Sequence, residues 1–242
     1  GEKYVDTART ILRLNDNLRR ELVDIGLGEK GRIIFGLPTE RAGYMLPRVI
    51  PLYKKMFPQV EVQIYEAMSD DLLSALLKDE INFYIIPRDL KDLPSGLQTE
   101  CIYRENLYLI AAPGVVKEED LADPIHNIVR DAFLRSQPFI PIKKGHAIRK
   151  KTDEIFRKKK ISPMVSMEVS SCISAVQLAH SGLGITIVPS RALEALGGID
   201  CFCRYQYGEI PDAWDVNVVY KKDSYLDRTE RGFIELLKSV FP

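Results

Sequence analysis

The sequence has no excess of charge of either sign. Its 242 residues contain 34 basic and 34 acidic side chains, so the formal net charge at pH 7 is zero. A protein that binds nucleic acid or an anionic membrane surface normally carries a basic excess. We therefore expect no sequence-specific DNA affinity and no membrane association from this chain by itself.

Cysteine and histidine are scarce. The four cysteines, Cys101, Cys172, Cys201 and Cys203, are too few and too irregularly spaced for a disulfide framework in a chain of this length. The three histidines form no H-E-x-x-H pair, and Cys201 and Cys203 lack the further ligands that a zinc site requires. The sequence therefore predicts reduced thiols, no metal and no cofactor.

Long apolar runs are also absent. No stretch could cross a bilayer, and the N-terminal Gly1-Glu2-Lys3 begins neither the apolar core nor the cleavage site of a secretory signal. These absences predict a cytoplasmic protein. No set of side chains resembles a general acid and base or an activated nucleophile, so we do not expect an enzyme. Cys172 precedes a predicted helix, where a thiolate could sense oxidants; the alternative is an inert buried thiol.

The first segment of the chain is typical of an amphipathic helix. Tyr4, Ile11, Leu18 and Ile25 are spaced one heptad apart, with charged residues between them. A glycine-containing segment follows Ile25 and predicts the end of the helix. This apolar stripe either packs back on the body of the protein or pairs with another chain.

From Gly31 onward, strand and helix patterns alternate. We predict strands at 32–37, 60–66, 81–86, 139–142, 164–169, 184–188, 201–207 and 213–220. We predict helices at 47–57, 147–159, 172–181 and the C-terminus. A further helix is predicted to follow Ser69, which would cap it. Pro47 and Pro51 are expected in the first turn of their helix, where a missing N–H costs little. Strands separated by helices imply parallel pairing and an α/β fold.

Several local strings resemble the LysR family, and the likeness covers essentially the whole chain. The first group is the run from Gly31 to Gly36, followed by Leu46-Pro47, Phe57-Pro58 and Val60 to Glu66. The second group is Glu168 to Ser171, Val176 to Ala179, Ser181 to Ile185 and Val188-Pro189. The segment from Tyr4 to Ile25 also resembles the helix that links that family's winged helix-turn-helix domain to its sensor.

The resemblance implies an α/β fold of two lobes, similar to type II periplasmic binding proteins. It assigns residues 1–28 to a linker and dimerisation helix, 31–105 with 206–242 to one effector-binding lobe, and 106–205 to the other. The chain would cross between lobes near 103–107 and 203–207. The implied protein is a small-molecule sensor and a homodimer or homotetramer. It would reach DNA only through an N-terminal domain absent from this chain. The alternative is a solute-binding protein of a transport system.

Candidate ligand contacts in the first lobe follow predicted strands. A hydroxyl and a guanidinium beside helix N–H groups bind a carboxylate well, so Thr39 and Arg41 are the first candidates. The alternatives are that Thr39 only caps the helix and that Arg41 is solvated. Glu40 would repel a second carboxylate unless it is turned away or paired with Arg41. Met68 and Arg88 follow the next two strands, although Arg88 could instead pair with a surface carboxylate.

Candidate contacts in the second lobe are Lys143, Ser170, Ser171, Cys172 and, through the resemblance, Pro189. Lys143 follows a predicted strand, and the three residues from Ser170 to Cys172 lead into a helix. Solvation is the alternative for Lys143, and capping is the alternative for the two serines. The basic runs at 149–151 and 157–160 could suggest nucleic-acid contact, but they lack interleaved aromatic residues, so we interpret them as a solvated helix face.

Overall fold

The computed structural model describes residues 1–25, 31–87, 93–207 and 213–241. The chain divides into two compact units. Unit 1 comprises Gly1–Tyr103 and Val216–Pro242, and unit 2 comprises Arg104–Asp215. The first passage between units lies at one end of the range expected from the sequence, 103–107. The return lies later in the chain than the expected range of 203–207.

Unit 1 begins with α1 (Glu2–Ile25), which agrees with the helix predicted from the heptad spacing. The described side chains of its apolar stripe are exposed, with Tyr4 80 %, Ile11 61 % and Leu18 54 % accessible. Polar contacts connect this helix to the rest of unit 1. Asn17 donates to the carbonyl of Asp223 (2.9 Å) and accepts from the N–H of Tyr225 (3.2 Å). In a single copy of the chain, the described part of this apolar stripe is therefore exposed and available to a second chain.

The α/β core of unit 1 follows α1. Its elements are β1 (Gly31–Leu37), α2 (Thr39–Met56), β2 (Val60–Glu66), α3 (Ser69–Leu77), β3 (Phe83–Pro87) and the first part of β4 (Leu97–Ile110). β1 pairs in parallel with β2 over its full length and in parallel with β3 on its other side. The predicted parallel pairing is therefore confirmed. β1 is the inner strand of the three, and its Ile33 and Phe35 are fully buried.

The remainder of β4 enters unit 2. The elements that follow are β5 (Leu121–Asp123), β6 (Ile128–Val129), α4 (Asp131–Ser136), β7 (Pro138–Phe139), α5 (Ala147–Lys158), β8 (Met164–Val165), α6 (Cys172–His180), β9 (Thr186–Pro189), α7 (Ser190–Glu194) and β10 (Arg204–Tyr205). β9 and β10 each pair antiparallel with β4, and β7 pairs in parallel with β8. Helices α5 and α6 bury apolar faces in a single core with these strands.

The chain then returns through β11 (Ala213–Lys221) and ends in α8 (Arg228–Val240). β11 runs antiparallel to β3. Asp227 caps α8 and forms a capping box with Glu230, which satisfies the first N–H groups of the helix. The ring of Phe233 lies 4.5 Å from that of Phe35 and packs α8 against the core of unit 1.

The predicted start of α2 was wrong. The helix begins at Thr39 rather than Pro47, so both Pro47 and Pro51 lie inside it. A proline in a helix removes one hydrogen bond and crowds the carbonyl four residues earlier. Here both prolines are exposed and lie four residues apart on one face, and Gly43, four residues before Pro47, is exposed as well. Water can therefore bind the carbonyl oxygens that the prolines leave without a donor.

Other local predictions also changed, and the strands predicted at 139–142 and 164–169 are reduced to Pro138–Phe139 and Met164–Val165. α3 begins at Ser69 itself, with Met68 in the capping position, so Ser69 does not cap this helix. The strand predicted at 201–207 is shorter, because a 3-10 turn occupies Ile199–Cys201 and only Arg204–Tyr205 pairs with β4.

Candidate functional site

In unit 1, two loops meet at the carboxyl ends of β1 and β2. The paired register of these strands ends at Leu37 and Glu66, and the N–H of Ala67 donates to the carbonyl of Leu37 (3.3 Å). The next residues of each loop start a helix. The structure therefore brings the segment from Thr39 to Arg41 close to Met68, as expected for loops that follow neighbouring parallel strands.

Neither of these two helices has a side-chain cap. Pro38 precedes α2 and Met68 precedes α3, and neither side chain accepts a hydrogen bond from the helix. Thr39 is the first residue of α2 and is exposed, so it does not cap the helix. Uncapped N–H groups at a helix start attract anions. The edge of unit 1 therefore presents two such helix starts side by side.

Arg41 is buried rather than solvated. Only 4 % of the residue is accessible, and its guanidinium donates to the hydroxyl of Tyr103. The guanidinium carbon also lies 5.5 Å from the centre of the Tyr44 ring. The alternative of a solvated arginine is therefore wrong. Glu40, next to it, is half-buried.

Nothing in the sequence analysis indicated Tyr103 as a site residue. Tyr103 lies in β4, 62 residues after Arg41, and the centre of its ring lies 5.2 Å from that of the tilted Phe241 ring. No periodic or local pattern connects two residues so far apart. Met68, the remaining candidate described in unit 1, is 37 % exposed. Arg88 lies outside the described residues.

In unit 2, a second pair of loops meets. Ile142 forms a parallel bridge with Val169, and the N–H of Lys143 donates to the carbonyl of Val169 (2.8 Å). This pairing brings Lys143 close to Ser170 and Ser171. Lys143 and Ser170 are exposed, whereas Ser171 caps α6 by accepting from the N–H of Ile173 (3.2 Å). The capping alternative is therefore confirmed for Ser171.

Arg149 holds these two loops in place. Its guanidinium donates to the carbonyl of Ile142 (3.1 Å), to Glu168 (2.6 Å) and to Asp153 (2.8 Å). Burial lowers the pKa of Arg149, but its hydrogen bonds to the carboxylates of Asp153 and Glu168 outweigh this effect and raise that pKa. In the sequence Arg149 belongs only to a basic run, and its positioning role depends on contacts with two loops, at Ile142 and at Glu168, that only the folded chain brings together.

The last two candidates of unit 2 are buried. Cys172 is 4 % accessible and belongs to the core of the unit, and Pro189 is buried at the end of β9. Reaction with an oxidant requires an accessible thiolate, so this burial favours the inert alternative for Cys172. None of the four cysteines, all of which lie within the described ranges, is in a disulfide.

Two absences concern the described residues only. Among them, no three or more histidine, cysteine, aspartate or glutamate side chains are grouped so that they could hold a metal ion. None of the helices in these ranges combines the length and the apolar character that crossing a bilayer requires.

Comparisons with known proteins agree with this architecture. The LysR substrate binding domain family matches residues 26–242. The "Uncharacterized HTH-type transcriptional regulator YcgK" of Bacillus subtilis is 24 % identical over 257 aligned positions, which cover all of this chain and 78 % of that protein.

Solved structures give the same fold. An OxyR cysteine mutant from Corynebacterium glutamicum aligns with a TM-score of 0.74 and 20 % identity, over 99 % of this chain and 74 % of that one. The CcmR regulatory domain of Synechocystis, in complex with 2-PG, aligns with a TM-score of 0.72 and 21 % identity, over 87 % and 97 %. The predicted α/β fold of the type II periplasmic-binding-protein class is confirmed. With a family model that matches nearly its whole length, the chain belongs to the LysR family of transcriptional regulators, as an effector-binding domain.

Proposed function

We propose that this chain senses a small anionic or zwitterionic metabolite and controls transcription as part of a LysR-type regulator. In this proposal, residues 1–28 are the linker and dimerisation helix. Residues 31–105 with 206–242 form one effector-binding lobe, and 106–205 form the other. The observation that carries the proposal is the pair of uncapped helix starts at the ends of β1 and β2, with Arg41 beside them.

Each candidate residue would have a distinct task. The N–H groups at the start of α2 and the Thr39 hydroxyl would donate to a carboxylate, and Arg41, held by Tyr103, would supply the positive charge. Lys143 is exposed and able to reach an anion. Glu40 would favour the ammonium group of a zwitterion, because a carboxylate attracts a cation beside a bound anion. No catalytic step is part of this proposal.

The experiment begins with a thermal-shift panel. The 2-PG bound by CcmR is the first probe, followed by other small carboxylates, amino acids and inorganic anions. A compound that binds only the folded chain must raise its melting temperature. If no anion or zwitterion in the panel does so, the proposed ligand class is wrong.

Variants then locate the site by calorimetry. Lys143→Ala should weaken a bound anion about tenfold, because a charge-assisted hydrogen bond contributes roughly 1.5 kcal/mol. Lys144→Ala is the matched control, since it removes an adjacent exposed lysine that is not among the candidates. Equal affinities of the two variants would exclude Lys143 from the site. Arg41→Lys is preferable to alanine, because Arg41 is buried and its truncation would also destabilise unit 1.

We also propose that the chain forms a homodimer or homotetramer in the cytoplasm, and that DNA contact is made by residues outside this sequence. The exposed stripe of α1 supports self-association. Exposed apolar residues on two strands support it as well: Ile64 and Tyr65 on β2, and Met164 and Val165 on β8.

Light scattering across a concentration series tests this association. Ile11→Glu should shift the mass towards the monomer, because it places a charge in the apolar stripe, whereas Lys3→Glu changes an exposed charge outside the stripe and should not. A monomeric parent chain at high concentration would contradict the proposal.

A further inference from the structure

A cavity of about 430 Å³ lies within unit 1. Its walls come from three segments: the middle of α1, the turn between α3 and β3, and the turn between β11 and α8. None of the effector candidates lines it. A volume of this size is within the range that binds small organic molecules. The cavity is therefore a separate place at which unit 1 could bind a ligand.

Among the described residues that line the cavity, positive charge exceeds negative charge. Arg13, Lys78 and Lys221 line it, together with one described carboxylate, Asp79. Asp79 is already engaged, since Lys221 donates to it (2.5 Å), and Arg13 pairs with Asp223. The ammonium group of Lys78 has no acceptor among the described residues. An anion would therefore meet at least one cation whose charge is not compensated.

Hydrogen-bond donors also exceed acceptors. Lys221 is only 6 % accessible, and its ammonium group has three donors but, among the described residues, two acceptors, Asp79 and the carbonyl of Leu77 (3.1 Å). Arg13 donates to Asp223 alone, and its Nε–H is buried without an acceptor in the described part of the chain. The Asn82 side chain uses its oxygen to accept from Ile34 (3.0 Å). Buried donors without acceptors are costly, and an anionic oxygen would satisfy them.

The rest of the lining combines polar side chains, among them Asn15, Asn17 and Ser224, with apolar ones. Leu76, Ile81 and Leu226 contribute hydrocarbon surface next to the charged groups. A ligand that matched both parts would have an anionic head and a short apolar tail. We propose that this cavity is a second small-molecule site, which binds an organic carboxylate with a short aliphatic chain. Because α1 forms one wall, the bound carboxylate would fasten α1 to the body of unit 1 and so connect ligand binding to the helix proposed for dimerisation.

Hexanoate is the probe for this site, and the experiment follows amide signals of the full 242-residue chain by NMR. Hexanoate should shift the signals of cavity residues, including Asn15, Asn82 and Ser224, and should raise the melting temperature. Hexanol and hexylammonium have the same tail without the negative charge, and both should bind at least tenfold more weakly. Equal binding of the three compounds, or shifts confined to other parts of the chain, would overturn the proposal.

Two variants test the assignment of residues. Lys78→Glu reverses an exposed charge at the cavity and should weaken hexanoate about tenfold or more, whereas Lys222→Glu, an exposed lysine that does not line the cavity, should leave the affinity unchanged. Ser224→Phe should abolish binding, because its ring would occupy part of the cavity. If Lys78→Glu and Lys222→Glu bind hexanoate equally, the site is refuted. The effector proposal does not depend on this outcome, because Lys143→Ala should leave hexanoate binding unchanged.

Discussion

Unit 1 and unit 2 repeat one pattern, a strand followed by a loop and a helix, but the first N–H groups are treated differently at the helices beside the candidate residues. In unit 1, α2 and α3 start without a side-chain cap, whereas in unit 2 Ser171 caps α6. The contrast belongs to these three helices, since Asp227 caps α8 in unit 1 and α5 starts without a side-chain cap in unit 2. A hydroxyl residue precedes or starts the helix in each unit, yet Thr39 lies inside α2 while Ser171 lies just before α6. A shift of one residue therefore decides whether a hydroxyl satisfies its own helix or remains available to a ligand.

The two units also differ in how their strands are paired. β1 and β2 pair in parallel over seven residues, whereas β7 and β8 pair over two. Prolines explain the short pairing in unit 2, because Pro138 and Pro141 have no N–H to donate to a sheet. An isolated β-bridge extends the contact between the two segments beyond β7 and β8. The carbonyl of Pro141 accepts a hydrogen bond from the N–H of Val169 (3.2 Å). Unit 2 therefore relies more on single contacts that a substitution can remove.

The largest expected effect on stability comes from substitutions at two glycines, Gly184 in unit 2 and Gly36 in unit 1. A Cβ at Gly184 would lie 2.4 Å from the carbonyl oxygen of Pro138, and its φ of +150° disfavours other residues. A Cβ at Gly36 in unit 1 would instead meet the end of the Leu72 side chain at 2.5 Å. Backbone cannot move aside as a side chain can. Gly184→Ala should lower the free energy of unfolding by roughly 3 kcal/mol, and Gly36→Ala by about 1 kcal/mol.

Urea unfolding followed by circular dichroism measures both variants, and the fluorescence of Trp214, the only tryptophan, reports separately on unit 2. Equal losses from the two substitutions would contradict the contrast between a backbone and a side-chain obstacle.

The next effect concerns acid stability. Burial raises the pKa of Glu100 in unit 1, but hydrogen bonds from Tyr220, Arg231 and Lys238 outweigh it and lower the pKa to about 2. A carboxyl whose pKa is lower in the folded chain stabilises it above the unfolded pKa and loses this contribution as pH falls through the folded value. The contribution of Glu100 should therefore disappear between about pH 4.5 and about pH 2.

Melting temperatures across this range provide the measurement. Glu100→Gln should flatten the acid part of the profile. Asp123→Asn is the comparison in unit 2, where a hydrogen bond with His126 lowers the pKa of a carboxyl at the surface. Solvent screens exposed pairs, so that variant should change the profile less. A larger change of the acid profile in Asp123→Asn than in Glu100→Gln would show that the network around Glu100 does not stabilise the fold.

The smallest effect tests the helix starts directly. Ser171→Ala removes the cap of α6 and should cost about 1 kcal/mol of unfolding free energy. Thr39→Ala removes an exposed hydroxyl that caps nothing, so it should change stability by less than about 0.5 kcal/mol. Chemical denaturation of the two variants side by side gives the comparison. A loss at Thr39 as large as that at Ser171 would mean that the hydroxyl serves the fold in both units.

The sequence by itself was enough for the features that depend on short-range pattern. The heptad spacing located α1, the apolar alternation located β2 at 60–66, and the strand–helix order predicted the parallel pairing of β1 with its neighbours. Local strings were also enough for the family, because they include turn and strand residues that the fold requires in fixed order.

Only the tertiary structure decided the roles of side chains whose partners are distant in sequence. Arg41 depends on Tyr103, and Arg149 depends on Glu168 across a loop. The length of α2 also depends on tertiary structure, because the helix tolerates Pro47 and Pro51 where they face water. Periodicity reports which face of an element is buried, but it contains no information about which residue of another element will meet that face. Such contacts form when the chain folds, and they decide which donors remain available to a ligand.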